Sequence, residues 1–411
     1  MSAPVRRRLL FALLVCLCVA LVVCGILWLW PEKPAPWPFP PLATAAAQAP
    51  GQLAAAPGAC PVTCSRQLEG MCLFLLWAGT CDPPATPLGK AAWTFVCALD
   101  AAPRGIALRR DCQQMLSEFR DSLRLKILPP SMIILAMQLD EPPGLQLANP
   151  LPDLGDEGAL AQWRHCAGFL PLFRRFYREA RVDAFLGAHA EEYAALAEHV
   201  AAALGGIDPA AEAQSYLGLP RPIPCVPVPS GLLPTGSGYG CSRSSGGKVA
   251  VVLPCFGLPG AGEWWQPESS SRGGLLNLIA HEAVHPCLNT LKAGETYGPA
   301  IAALEPAWPV VIEHLGEKER AAYGRWDNYW NETVVRAAGL RIVARIRAAQ
   351  GLPGSDDAWV QKLAGEGWPF LPALLARLQE YEASRDQYPD LASFYPELLR
   401  VVEDELGAAP Q

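Results

Sequence analysis

Hydrophobic and polar positions divide this chain into stretches with different periods. Leu9 to Trp30 contains 22 residues without a charge, long enough to cross a bilayer as a helix. Arg6, Arg7 and Arg8 precede it, which predicts residues 1–8 as a cytoplasmic tail, 9–30 as a transmembrane anchor and the rest outside. A cleaved signal peptide is the competing expectation, but its apolar core is usually shorter, about 7–15 residues. The nearest Ala-x-Ala patterns, at 45–47 and 47–49, lie well past the apolar run. A retained single-pass anchor is therefore preferred; cleavage would make the chain secreted.

Residues 31–59 hold eight prolines and ten alanines, a composition that predicts an extended linker. Residues 60–149 form a cysteine-bearing N-terminal region. Within it, Asp111 to Leu125 is helical in pattern, and the apolar run Ser131 to Leu139 predicts a buried strand. Gly158 to Leu204 is the longest helical stretch, punctuated by Gly168, Pro171 and Gly187. Its aromatic residues (Trp163, Phe169, Phe173, Phe176, Tyr177, Phe185) recur at helical spacing and are expected in the core. Gly218 to Gly247 is irregular. Lys248 to Leu253 then reads as a strand, either in the core or at the sheet edge where an extended substrate would pair. Gly257 to Gly274, with Trp264 and Trp265, is expected to be a loop: a lid, a subsite wall or packed surface. Two further helices follow, one over Gly274 to His285 and one over Trp330 to Arg341. Pro286 should end or kink the first. Beyond Ala337 the pattern stays helical, broken at Pro369 and Pro372, with a last helix over Leu391 to Glu405. The fold class expected is α+β: a mostly helical domain over residues 150–411 with a small sheet, behind the N-terminal transmembrane helix.

Composition adjusts this picture in two ways. The net charge is −7, which argues against nucleic acid as a partner. Of the fourteen cysteines, Cys16, Cys18 and Cys24 lie in the apolar segment and eleven follow it. Such usage predicts an oxidising compartment and several disulfides, with at least one cysteine left over. The spacing from Cys60 through Cys64 and Cys72 to Cys81 fits disulfides better than a zinc knuckle.

The chemistry centres on His281-Glu282-Ala283-Val284-His285. Two of the six histidines fall here. Residues four apart lie on one helix face, so both imidazoles reach one metal ion while Glu282 leans over a water beside it. This is the physical content of H-E-x-x-H: two zinc ligands and a general base. The plain alternative is a core helix with two satisfied histidines. A catalytic zinc takes a third protein ligand. An extension with glycine at 288 and histidine at 291 is absent, since both positions are leucine. His314 has no supporting pattern. Glu332, in a good helix, is the stronger candidate, and Glu295 is its rival. Arg336 shares a face with Glu332. Tyr297, Tyr323, Tyr329 and Arg336 are candidates for stabilising a transition state, and Asp327 for orienting a ligand. His165, His189 and His199 are expected to be structural or on the surface.

H-E-x-x-H followed by a helix bearing Asn331-Glu332 resembles the gluzincin type of zinc metallopeptidase. More narrowly, Trp163 to Leu399 resembles an uncharacterised bacterial family of zincin-like extracytoplasmic proteins. The shared features are the aromatic helical region, Gly238-Tyr239-Gly240 before a strand, H-E-x-x-H, and Asn331-Glu332 with Val335-Arg336. The resemblance implies His281, His285 and Glu332 as ligands of Zn2+ and Glu282 as the base. Two positions depart from it: Arg336 stands where gluzincins often carry an aspartate, and Pro286 directly follows the motif. The function expected is that of a membrane-anchored extracytoplasmic zinc metallopeptidase acting on a peptide or protein substrate. The alternatives are a zincin-like domain that binds metal or a partner without catalysis, and a disulfide-stapled structural envelope protein.

Overall fold

The computed structural model describes most residues between 52 and 408. Residues 1–51, 118–127, 148–165, 220–224, 234–238, 243–248, 254–271, 352–356 and 409–411 lie outside it, with short runs between 57 and 116. The expected anchor, most of the linker, most of the 111–125 segment and the Trp264-Trp265 loop therefore fall outside the described residues. No helix among those described is long and apolar enough to cross a membrane.

The described chain opens with strands β1 (Gln52–Ala56) and β2 (Val62–Ser65), paired antiparallel. β1 falls inside the expected linker: Leu53 is fully buried, and pairing with β2 satisfies a backbone that alanine side chains alone would not hold in place. Ser65 accepts from the Leu68 amide and so caps α1 (Arg66–Trp77). Every residue of α1 from Gln67 to Trp77 is buried, the mark of a helix inside a domain. α2 (Pro87–Asp100) starts on a Thr86 cap with proline in its first turn.

α3 (Leu128–Ala136) occupies the stretch expected to be a strand. Met132, Ile133, Leu135, Ala136 and Met137 are all buried. A run apolar on every face carries neither period, and here helix formation prevailed. α4 (Leu170–Glu179), α5 (Val182–Ala188) and α6 (Ala190–Leu204) carry the aromatic repeat. Phe74 of α1 meets Phe169, Phe173 and Phe176 edge-on, and Trp77 stacks on Phe176 at 4.8 Å. Phe169, Phe173, Phe176, Tyr177 and Phe185 are buried, as expected; Trp163 lies outside the described residues. The breaks fall at Arg181, with φ of 55°, and at His189; Gly187 sits inside α5, and Pro171 starts α4. α7 (Pro209–Leu217) is capped by Asp208 and closed by Gly218 at φ 70°.

β3 (Cys225–Pro229), β4 (Tyr239–Ser242) and β5 (Val249–Leu253) form one sheet in the order β3-β5-β4. β3 is parallel to β5 and β4 antiparallel to it. β5 is thus the central strand, with neighbours on both sides, and leaves no edge for a substrate. Pro227 and Pro229 place β3 at an edge, because proline donates nothing to a ladder.

α8 (Arg272–Ala293) carries Pro286 in its interior, so of the two expectations, an end or a kink, the helix does not end there. The proline gives no N–H to the Glu282 carbonyl, which costs one rung, but packing against α7 and later helices holds the two halves together. The short α9 (Gly298–Ala303), α10 (Trp308–Ile312) and α11 (Glu317–Ala322) lead to α12 (Trp326–Ala349). α13 (Asp357–Gly365), α14 (Leu371–Ala383) and α15 (Leu391–Ala408) complete the chain. The protein is mostly helical with a small sheet.

The most extensive packing between described helices joins α8 to α12. They meet at Gly339, where a Cβ would stand in ordinary contact, 3.4 Å from His281 Cα and 3.5 Å from His281 Cβ, and a larger side chain would not fit without a shift. Residues Ala45–Gln411 form one unit, so the cysteine-bearing region is built into the same body as the site. Among the described residues no disulfide is formed; Cys60, Cys97, Cys166, Cys225 and Cys287 are free thiols.

Candidate metal centre

His281 and His285 occupy successive turns of α8, and Glu332 faces them from α12. The imidazole centroids lie 4.9 Å apart with the rings at 80°. His281 Nε2 is 3.5 Å from Glu332 Oε1, and His285 Nε2 is 3.5 Å from Glu332 Oε2. One donor atom from each residue falls within 4.8 Å of the other two. A charge-assisted hydrogen bond would be shorter, about 2.7–2.9 Å. Two ligands at about 2.0–2.1 Å from a tetrahedral ion are separated by roughly 3.3 Å. The spacing matches two ligands of one ion better than a hydrogen bond.

The electrostatics agree with that spacing. Burial pushes the His281 imidazole down to about 3; Glu332 opposes the shift, while His285 and Arg336 add to it. The ring is neutral at physiological pH and keeps a lone pair for a metal. Burial alone would raise the Glu332 carboxyl, but the two imidazoles and Arg336 outweigh it and hold it well below its ordinary value. Two imidazoles and one carboxylate make a donor set of the kind zinc takes.

Arg336 sits one turn beyond Glu332 and pairs with Oε1 at 2.8 Å. Its guanidinium lies over the Trp368 ring, 4.3 Å from the centroid. The Tyr323 hydroxyl accepts from Arg336 at 3.4 Å. Glu282 is buried on α8, and its charge acts on Arg336 and on Cys225 at the start of β3.

The other residues singled out from the sequence lie elsewhere. Asp327 pairs with Lys292 at 3.2 Å and Arg325 at 3.1 Å; it anchors the start of α12 to α8 and does not orient a ligand histidine. Tyr329 is fully buried, donates to the Gly367 carbonyl at 3.0 Å and stacks on Trp368. Tyr297 donates to the Ala392 carbonyl and packs on Tyr395. Both are packing residues, because their donors are committed to other parts of the backbone. Glu295 is exposed in the turn after α8, outside the cluster, and His314 is exposed as well. His189 pairs with Glu192 at 3.0 Å, a surface contact.

Sequence reasoning missed Trp368, which supports Arg336 from the segment between α13 and α14; no local pattern links it to a site far upstream. It also missed Asn289, one turn beyond His285, which accepts from the Asn331 amide at 2.8 Å. Its i,i+4 spacing from His285 was the available signal.

No curated protein and no solved structure matches this chain significantly. Residues 135–401, about two thirds of the chain and including His281, His285 and Glu332, match the family described as a domain of unknown function, DUF4932, and the chain belongs to that family.

Proposed function

We propose that this protein is a zinc-dependent metallopeptidase of the H-E-x-x-H type, held outside the membrane by residues 9–30. The observation that carries the proposal is the convergence of His281, His285 and Glu332, with both Nε2–Oε separations at 3.5 Å. Bound zinc would supply Lewis acidity, polarising a carbonyl and making water acidic near neutral pH. His281 and His285 would hold the ion through their ring nitrogens, and Glu332 would contribute the negative charge. Glu282, buried and next to His281, accepts the proton of the attacking water and later returns it to the leaving amine. The resemblance to gluzincins supports the same assignment, and a substrate backbone would pair with β4, an outer strand of the described sheet, rather than with β5.

Replacing Glu282 by Gln tests the role directly. Zinc content should be unchanged and cleavage of a diverse peptide library should disappear. Retained turnover in Glu282→Gln would remove Glu282 from the mechanism. The Arg336–Glu332 ion pair favours one second reading, a domain that binds zinc without hydrolysis. Zinc-loaded protein that cleaves nothing in such a library would support it.

A further inference from the structure

Arg336 uses only part of its guanidinium on the protein. Nη2 donates to Glu332 Oε1 at 2.8 Å and to the Tyr323 hydroxyl at 3.4 Å. Among the described residues Nε is buried without an acceptor, and Nη1 makes no bond and is not sealed, although a guanidinium presents five donors. The side chain keeps 27% of its surface accessible, so it is not sealed into the core. Its plane is fixed by Trp368 at 4.3 Å. The Tyr323 ring meets Trp368 edge-on at 5.4 Å, so one indole orients both groups. Arg336 thus stands beside the ligand carboxylate and within the field of Glu282, with donors that the folded chain leaves over.

A purely structural arginine would be expected to satisfy its buried nitrogens. A donor held rigidly and left short of acceptors is what a site needs where negative charge develops only during reaction, since nothing has to reorganise when that charge forms. We propose that Arg336, together with Tyr323, takes up the oxygen of a substrate carbonyl as it becomes negative, making Arg336 a second catalytic residue beside Glu282. This rests on the zinc-peptidase proposal. In the step concerned, the water oxygen bonds to the carbonyl carbon, the carbonyl π pair moves onto its oxygen, and the water proton passes to Glu282. Collapse of that adduct re-forms the carbonyl and breaks the C–N bond, and the proton leaves with the amine.

The test uses the zinc-loaded full chain and two probes on one dipeptide frame, a phosphonate and a thiol, with binding measured by calorimetry. Both probes reach the metal, but only the phosphonate offers a second anionic oxygen to a donor. Arg336→Lys and Tyr323→Phe should each weaken the phosphonate about tenfold to a hundredfold and leave the thiol unchanged, with zinc content retained. A parallel loss of both probes would mean that Arg336 acts only through Glu332, and the proposal falls. The proposal also falls if phosphonate binding is unchanged in both variants, or if Arg336→Lys loses zinc while Tyr323→Phe binds phosphonate normally. If the parent chain holds no zinc or binds neither probe, the zinc-peptidase proposal falls with it.

Discussion

Glu69 in α1 and Glu332 in α12 are both buried carboxyl groups on buried helices, 0% and 6% exposed, and the protein treats them in opposite ways. Glu69 is surrounded by neutral donors: the Tyr193 hydroxyl at 2.9 Å and the Gly231 amide at 3.1 Å. Burial raises it to about 7, and the bonds from Tyr193 and Gly231 only partly offset the shift. Glu332 meets a guanidinium and two imidazoles and is held well below its ordinary value. Depth alone therefore does not mark a functional carboxylate. Glu69 fastens the loop after β3 and helix α6 to α1, which is structural work. Glu332 stays ionised in the interior, the state a metal ligand requires.

The contrast can be broken by exchanging what each group is asked to do. The largest effect expected is on metal binding. Glu332→Ala should weaken zinc on the order of a hundredfold or more, since losing even a partner of a ligand costs about 10–100-fold. Glu69→Gln should leave zinc affinity unchanged. Competition against a chromogenic chelator measures both, and equal losses would erase the distinction.

The next effect is on stability against pH. The folded pKa of Glu69 lies above its ordinary value, so the folded state binds this proton more tightly. Its contribution is complete below about 4.5 and is lost as pH rises through about 7, an effect of about 3 kcal/mol across that window. Urea unfolding from pH 4.5 to 8 should therefore include a decline that Glu69→Gln flattens. A parent-minus-variant stability difference that rises with pH would reverse the assignment.

Smaller effects sharpen the comparison at the α8–α12 contact. Gly339→Val should destabilise by about 1–3 kcal/mol through overpacking and weaken zinc, because the new side chain presses on His281. Alanine should be milder, since its Cβ would make only ordinary contact at 3.4 Å. Thermal melts with and without zinc would report both. Pro286→Ala restores one donor to α8 and should stabilise by about 1 kcal/mol with zinc binding intact. A loss of zinc in that variant would instead make the proline part of the site.

The centre was more legible in the sequence than the frame around it. Local spacing sufficed for His281 and His285, because one helix turn brings them together. Glu332 was reachable as an acidic residue in a strong helix. Asp327, Tyr297 and Tyr329 were not separable from site residues by sequence, because their roles depend on the Lys292, Ala392 and Gly367 groups they meet after folding. α3 was mistaken for a strand because a run apolar on all faces has no period to read. The course of α8 through Pro286 depends on tertiary packing that outweighs a lost rung. The central place of β5 depends on pairing between strands distant in sequence.

X-ray absorption at the zinc edge on the purified full chain, with elemental analysis of the same sample, tests the central claim most directly. One zinc per chain is predicted, with imidazole and oxygen donors at about 2.0–2.1 Å. A well-folded chain without zinc would contradict the account. So would sulfur at about 2.3 Å, which would move the metal to the cysteines.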